Sequence, residues 1–173
     1  MEYENQKLIE FERYIENKKV AIIGLGVSNL PLIDYFHEKK SNVMVFDSRE
    51  IGEIPKEIID KITNYAMEMS LGKGYLNKLH GFDLILRSPS CLPTVPELEA
   101  EAEKDAIVTT EVELLMKMCP AQVIGITGSD GKTTTTTLIS EILKKAGYKC
   151  FVGGNIGTPL FTRLHEIMPE DKV

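Results

Sequence analysis

Short apolar runs recur along this chain, and segments with helical spacing separate each run from the next. Runs that are this short and apolar throughout suit strands of a parallel sheet covered by helices on both faces. The alternation therefore predicts an α/β fold with a doubly wound, Rossmann-like parallel sheet. The expected buried strands are Val20–Ile23, Val43–Phe46, Leu84–Leu86, Ile107–Val108, Val123–Ile126 and Phe151–Val152.

The segments between these runs predict amphipathic helices. Thr94, with Glu97 three residues later, predicts a capping box at the start of one helix. Residues 109–120 predict a short connecting helix. The clearest helix is expected to end at Gly147 and to have an apolar stripe along one face. That stripe comprises Leu138, Ile139, Ile142, Leu143 and Ala146.

Glycines follow two of the predicted strands, one ending at Ile23 and the other at Ile126. Each junction would open a phosphate-type site at the carboxyl end of a strand. Two such sites indicate two α/β units, and we place the boundary near residue 107. The predicted domains are a Rossmann-like unit at 1–107 and the start of a P-loop-type ATP-binding unit at 108–173.

Composition excludes several classes of protein. The chain of 173 residues is 43% hydrophobic and 27% charged, which is typical of a globular protein. Its net charge of −6 disfavours a nucleic-acid or anionic-membrane partner. No run approaches the roughly 18 apolar residues of a membrane helix, and residues 1–11 are polar, so we expect a cytoplasmic location. A monomer is a separate expectation. Cys91, Cys119 and Cys150 form no Cys-x-x-Cys motif and are expected to be reduced thiols.

The strongest functional signal is a glycine-rich loop that follows the fifth apolar run and contains Gly128, Gly131, Lys132 and Thr133. Glycines let successive backbone N–H groups point at an anion, and the helix that follows adds its positive dipole end. Lys132 supplies a mobile charge for terminal phosphates, and the Thr133 hydroxyl suits a magnesium shell. An isoleucine stands at the first glycine of G-x-x-x-x-G-K-[ST], so the loop is a shortened variant.

A second glycine turn follows the first apolar run. Gly24 and Gly26 stand in the context of a dinucleotide fingerprint, with Asn29 in place of the third glycine. Asp47 ends the next run about 20 residues further on, where an acidic side chain accepts hydrogen bonds from a ribose. Arg49 adds a donor that could grip a phosphate or a carbonyl group. Taken alone, this turn is compatible with NAD binding or with a purely structural cap.

Taken together, these residues resemble the Mur ligase family, the ATP-dependent amino-acid ligases that build the peptidoglycan stem peptide. The loop Thr127–Thr134 is similar to that family's own shortened loop. The order of the flanking motifs resembles the branch that adds D-glutamate. Supporting stretches are Gly24–Ser28, Phe46–Arg49, Ser88–Ser90 and Gly153–Gly157. One departure is Ser90, where the family usually has glycine, a residue that tolerates positive φ.

The resemblance implies UDP-N-acetylmuramoyl-L-alanine and D-glutamate as substrates, with ATP and Mg²⁺ as cofactors. ATP would phosphorylate the alanyl carboxylate, and the amine of D-glutamate would displace phosphate from the acyl phosphate. Lys132 and Thr133 would be catalytic, and Thr133 would also bind the metal. The implied ATP-binding residues are Gly128, Ser129, Asp130, Gly131, Lys132, Thr133 and Thr134. The implied substrate-binding residues are Gly26, Val27, Ser28, Asp47, Ser48, Arg49, Ser88 and Asn155.

Two other classes account for part of the pattern. An NAD-binding oxidoreductase or regulatory module explains the turn at Gly24 but leaves the loop at Gly128 unused. A P-loop kinase or switch NTPase explains Lys132 but not the unit upstream of it. The ligase hypothesis uses both sites. Because 108–173 is too short for a complete nucleotide-binding sheet, we expect an N-terminal fragment that is inactive by itself.

Overall fold

The computed structural model describes residues 3–154 and 159–173. The chain divides into two compact units. The first is Glu10–Glu111, and the second combines the residues before Glu10 with Val112–Val173. The domain limits 1–107 and 108–173 stay predictions.

A five-stranded parallel sheet forms the centre of the unit Glu10–Glu111. Its strands are β1 (Lys19–Ile23), β2 (Asn42–Asp47), β3 (Glu68–Leu71), β4 (Leu84–Arg87) and β5 (Ile107–Thr109). The spatial order is β3-β2-β1-β4-β5, and every neighbouring pair is parallel. This is the order of a doubly wound fold, so the prediction of an α/β protein with a Rossmann-like sheet is confirmed.

The described residues also form α-helices. In chain order they are α1 (Gln6–Ile15), α2 (Leu30–Glu38), α3 (Lys56–Asn64), α4 (Pro96–Ala102), α5 (Glu111–Met118) and α6 (Lys132–Lys145). Short 3₁₀ turns lie at Ile51–Glu53, Tyr75–Lys78 and Phe161–Glu166. No helix within the described ranges is long and apolar enough to cross a membrane.

Strand β1 is the centre of the core because it pairs with β2 on one side and β4 on the other. Its residues Val20–Ile23 are fully or almost fully buried. At its carboxyl end, Ile23 is in register with Phe46 of β2 and Arg87 of β4. The residues that follow these three strands therefore meet at one edge of the sheet.

The capping box predicted at Thr94 and Glu97 is wrong. Helix α4 begins at Pro96, with Val95 at the cap position and no capping hydrogen bond from a side chain. Proline is preorganised for the first helical position and needs no N–H there. Because Pro96 takes that position, Thr94 lies outside the helix.

Two predicted strands do not form in the second unit. Instead of strands at Val123–Ile126 and Phe151–Val152, the structure has isolated parallel bridges from Gln122 and Cys150 to Lys172. The physical reason is that each segment shares only a single bridge with Lys172, which supplies too few ladder hydrogen bonds to define a strand. The P-loop-type fold predicted for 108–173 is therefore not evident in the described residues.

Helix α6 forms as predicted, but its apolar stripe is not buried. The helix stops at Lys145, and the Gly147 N–H donates to the Lys144 carbonyl at 3.0 Å. Gly147 has φ of +92°, as expected of a glycine that ends a helix. Leu138 and Ile142 remain 60% and 58% exposed. Helical periodicity thus predicted the helix correctly, and part of its apolar stripe lies at the surface.

Candidate functional site

The first candidate site lies between β1 and β4, where the direction of strand order reverses. Gly24 follows β1 and Ser88 follows β4, and the Ser88 N–H donates to the Ile23 carbonyl at 2.9 Å. A Cβ on Gly24, whose φ is +89°, would lie 2.9 Å from the Cβ and Oγ of Ser88. Glycine is therefore required for this close approach. Doubly wound folds bind nucleotides in the crevice at this point.

Asp47, at the end of β2, organises this edge. It is 4% exposed, and its carboxylate accepts hydrogen bonds on both oxygens. Oδ2 accepts the Leu25 N–H at 2.7 Å and Arg49 Nη2 at 2.8 Å. Oδ1 accepts the backbone N–H and the Nε of Arg49, each at 2.9 Å. These four bonds fill the usual acceptor positions of a carboxylate, so contact with a ribose would require one of them to break.

The same contacts set the charge of Asp47. Burial acts to raise its pKa, but hydrogen bonds from Arg49 and from the Leu25 N–H outweigh burial and hold the pKa below its ordinary value. In turn, the hydrogen bond with Asp47 raises the pKa of Arg49. Arg49 Nη2 also reaches the Leu25 carbonyl at 3.2 Å. A charged guanidinium is thus fixed at the edge of the crevice, with its side chain 39% exposed.

The turn between β1 and α2 carries three more predicted residues. Gly26 and Val27 are exposed, and Ser28 is half-buried. Asn29 is buried, and its Nδ2 donates to the Ile23 carbonyl at 2.8 Å. That bond ties the start of α2 to the end of β1, a close packing that glycine usually permits in this motif.

Ser48 and a residue that the sequence reasoning missed complete the loop after β2. Ser48 is exposed beside Arg49. The Gly72 N–H donates to the carbonyls of Asp47 and Arg49, each at 3.0 Å. Gly72 has φ of +75°, and a Cβ there would collide with the Glu50 carboxylate. It was missed because β3, which precedes it, has no apolar run.

Ser88 and Ser90 place two hydroxyls at the same crevice. Their Oγ atoms are 2.9 Å apart, and either can be the donor. Ser90 is not among the residues with positive φ, so serine stands here without backbone strain. The departure from the glycine of the family therefore leaves the turn intact and adds a hydroxyl contact.

The second candidate site is the loop before α6. Gly131 has φ of +71° and takes the cap position of that helix, with no capping bond from a side chain. Lys132 Nζ donates to the carbonyls of Gly128 and Ser129. The N–H groups of a first helical turn have no intrahelical acceptor and favour an anion. The loop residues Ser129, Asp130, Thr133 and Thr134 are exposed, so this end of the helix is open to a phosphate group.

The residues present do not by themselves fit a complete magnesium site. Within 3–154 and 159–173, no group of three His, Cys, Asp or Glu side chains could hold a metal ion. The exposed Thr133 hydroxyl would be a single ligand. Asn155, predicted to face the substrate, lies outside the described residues.

These features define an α/β protein with a doubly wound parallel sheet in one unit and a glycine-rich loop before a helix in the other. Residues 18–110 match the family described as "Mur ligase MurD-like, N-terminal domain". Residues 126–170 match "Mur ligase middle domain". The first match alone covers more than half of the chain. The chain therefore belongs to the MurD-like Mur ligases.

Two curated relatives agree with this assignment. The chain is 44% identical over 169 residues to the UDP-N-acetylmuramoylalanine--D-glutamate ligase of Acetivibrio thermocellus, covering 98% of this chain and 36% of the relative. It is 47% identical over 165 residues to the ligase of the same name from Clostridium botulinum, covering 94% and 35%. A pseudomurein peptide ligase type C structure from Methanothermus fervidus aligns with a TM-score of 0.48 at 25% identity, covering 91% of this chain and 32% of that chain. The chain thus spans about a third of the length of the curated relatives it matches.

Proposed function

We propose that this chain carries the uridine-nucleotide site and the ATP phosphate loop of a ligase that adds D-glutamate to UDP-N-acetylmuramoyl-L-alanine. One observation carries the proposal: a Mur ligase chain has two glycine turns at the amino ends of helices, one in each compact unit. A ligase that joins a nucleotide-linked substrate to an amino acid with ATP needs two such anion sites. Neither alternative class uses both.

The first unit is proposed to hold the uridine diphosphate of the substrate. Arg49, fixed by Asp47, is suited to donate to a uracil carbonyl. Ser48 precedes Arg49, and Ser28 lies with the exposed Gly26 and Val27 in the turn between β1 and α2. These residues are proposed to contact the substrate as well. Ser88 lies at the reversal of strand order, where a diphosphate binds in this fold. Asn155 is proposed to face the muramoyl-peptide part.

The hydrogen bonds that already occupy the Asp47 carboxylate favour uridine over NAD as the ligand. In a dinucleotide site, the acidic residue at the end of the second strand accepts hydrogen bonds from the ribose. Here its four acceptor positions are used by Leu25 and Arg49. A guanidinium presented at the edge suits carbonyl oxygens instead, and uracil has two of them.

The second unit is proposed to act on ATP. The γ-phosphoryl group passes from ATP to the alanyl carboxylate, giving ADP and an acyl phosphate. The amine of D-glutamate then attacks the acyl carbon, the amide bond forms, phosphate leaves, and the nitrogen loses its proton. Lys132 and the N–H groups of Gly128–Thr134 stabilise the negative charge of the transferred group, which is electrostatic preorganisation. Thr133 is the residue of this chain that would hold Mg²⁺, which would there supply neutralisation of phosphate charge.

The remaining expectations from the sequence stay predictions. They are a cytoplasmic location, a monomeric state, and the absence of nucleic-acid and membrane partners. The net charge of −6 supports the last of these.

A calorimetric titration of the chain with UDP-N-acetylmuramoyl-L-alanine and, separately, with NAD tests the proposal. We expect heat of binding with the uridine compound and none with NAD. Arg49→Ala should weaken that binding about tenfold or more, because a charged hydrogen bond is lost. Arg13→Ala, an exposed arginine of α1, is the matched control. Binding of NAD alone would refute the proposal and support an oxidoreductase.

A further inference from the structure

The hydroxyl pair formed by Ser88 and Ser90 has a use at the proposed diphosphate site. Ser88 is held on two sides: its N–H donates to the Ile23 carbonyl at 2.9 Å, and its side chain lies against Gly24. Its Oγ is therefore confined to the crevice where strand order reverses. The Ser90 Oγ lies 2.9 Å from it.

The turn that carries Ser90 is also anchored. The Cys91 N–H donates to the Ser88 carbonyl at 3.0 Å, and Arg87 Nη1 donates to the Cys91 carbonyl at 3.2 Å. Cys91 is 7% exposed and belongs to the core cluster with Ile23 and Phe46. Ser90 thus reaches Ser88 from a turn that is fixed to the core, although its own side chain is exposed.

We propose that Ser90 is a positioning residue for phosphate binding by Ser88, an inference that rests on the proposed uridine-diphosphate ligand. A phosphate oxygen only accepts hydrogen bonds, so Ser88 must donate its hydroxyl proton to it. Ser88 Oγ is then available as an acceptor, and Ser90 is the hydroxyl placed to donate to it. The ligand therefore fixes the direction of both hydrogen bonds: Ser90 donates to Ser88, and Ser88 donates to the phosphate.

Two hydrogen bonds in this order strengthen the contact between Ser88 and the phosphate. A hydroxyl that accepts one hydrogen bond becomes more polarised and a better donor for the next. Ser90 also holds the Ser88 hydroxyl in one rotamer, which lowers the entropy that ligand binding costs. Glycine at position 90 would supply neither effect.

Titration calorimetry of the full 173-residue chain with UDP and with uridine tests this inference. Ser90→Ala should weaken UDP binding about threefold to tenfold, the range expected for one net hydrogen bond, and leave uridine binding unchanged. Ser90→Thr keeps a hydroxyl and should restore binding of UDP. In a Ser88→Ala background, Ser90→Ala should have no further effect. Thr94→Ala, which removes an exposed hydroxyl nearby, is the control.

The outcomes separate this inference from the proposed function. If the wild-type chain does not bind UDP, the proposed function is wrong and the inference loses its ligand. If UDP binds but Ser90→Ala binds it as tightly as the wild type, the inference alone is overturned. An equal loss of uridine and UDP binding would indicate a merely structural effect and would also overturn it.

Discussion

At the scale of single residues, Lys132 lies against the carbonyls of the loop that it is proposed to serve. We expect Lys132→Ala to lower ligation on the order of 10²-fold, because one preorganised charge at the transferred phosphoryl group is lost. The assay is phosphate release by a chimaera in which this chain replaces the matching residues of the Clostridium botulinum relative. Lys145→Ala, at the exposed far end of α6, is the matched control. Near-normal turnover of Lys132→Ala would contradict the role assigned to this lysine.

The hydrogen bonds to Asp47 predict that the stability of the fold depends on pH. Its pKa is lower in the folded chain than the ordinary value for an aspartate. The ionised carboxylate therefore stabilises the fold at pH above that ordinary value, and the contribution is lost as pH falls through the folded pKa. Asp47→Asn should therefore be less stable than the wild type at neutral pH, by about 1–3 kcal/mol. The difference should shrink as pH falls below about 4.

Urea unfolding at several pH values measures this difference. Asp60→Asn, an exposed carboxylate of α3, controls for the loss of a negative charge. A gap between wild type and Asp47→Asn that stays constant down to pH 2 would show that the carboxylate contacts do not contribute as described.

At the scale of elements, the turn between β1 and α2 offers a paired test of two glycines. Gly24→Ala should destabilise the unit by about 1–2 kcal/mol or more, since φ is +89° and the new Cβ meets Ser88 at 2.9 Å. Gly26→Ala meets nothing within 4 Å and should be near neutral. Thermal and urea unfolding compare the two variants. Equal effects would mean that the close approach of the two loops is not what constrains position 24.

The elements also show where sequence reasoning succeeds. Val20–Ile23 and Val43–Phe46 are apolar throughout because central parallel strands are buried on both faces, and both strands were predicted. By contrast, β3 is an edge strand with Ser70 as its buried residue, so it has no apolar run to detect. Its position, and with it the role of Gly72, comes only from pairing with β2.

The predicted strands that failed have the opposite cause. Val123–Ile126 has the local composition of a buried strand, yet Val123 is 37% exposed in the structure. A strand depends on a neighbour, and local composition does not report how long the pairing segment is. The glycines and Lys132 could still be found, because their signal depends on local backbone chemistry. The hydrogen bond from the Leu25 N–H to Asp47 could not, since it joins two segments that lie 22 residues apart in the chain.

In the molecule as a whole, each of the two units carries one proposed anion site, and the chain is acidic. With a net charge of −6, long-range attraction does not draw a nucleotide in, so binding must come from local donors. The proposed donors are Arg49 and the Ser88 hydroxyl in one unit, and Lys132 with the first turn of α6 in the other. The first of these sites is proposed to recognise a uridine nucleotide.

Chemical-shift mapping of the labelled chain with UDP and with NAD tests whether this site binds a uridine nucleotide. We expect UDP to shift the backbone signals of Ser28, Ser48, Arg49 and Ser88, which surround the carboxyl edge of β1. NAD at the same concentration should leave these signals in place. Shifts at this edge with NAD and none with UDP would show that the site does not recognise a uridine nucleotide.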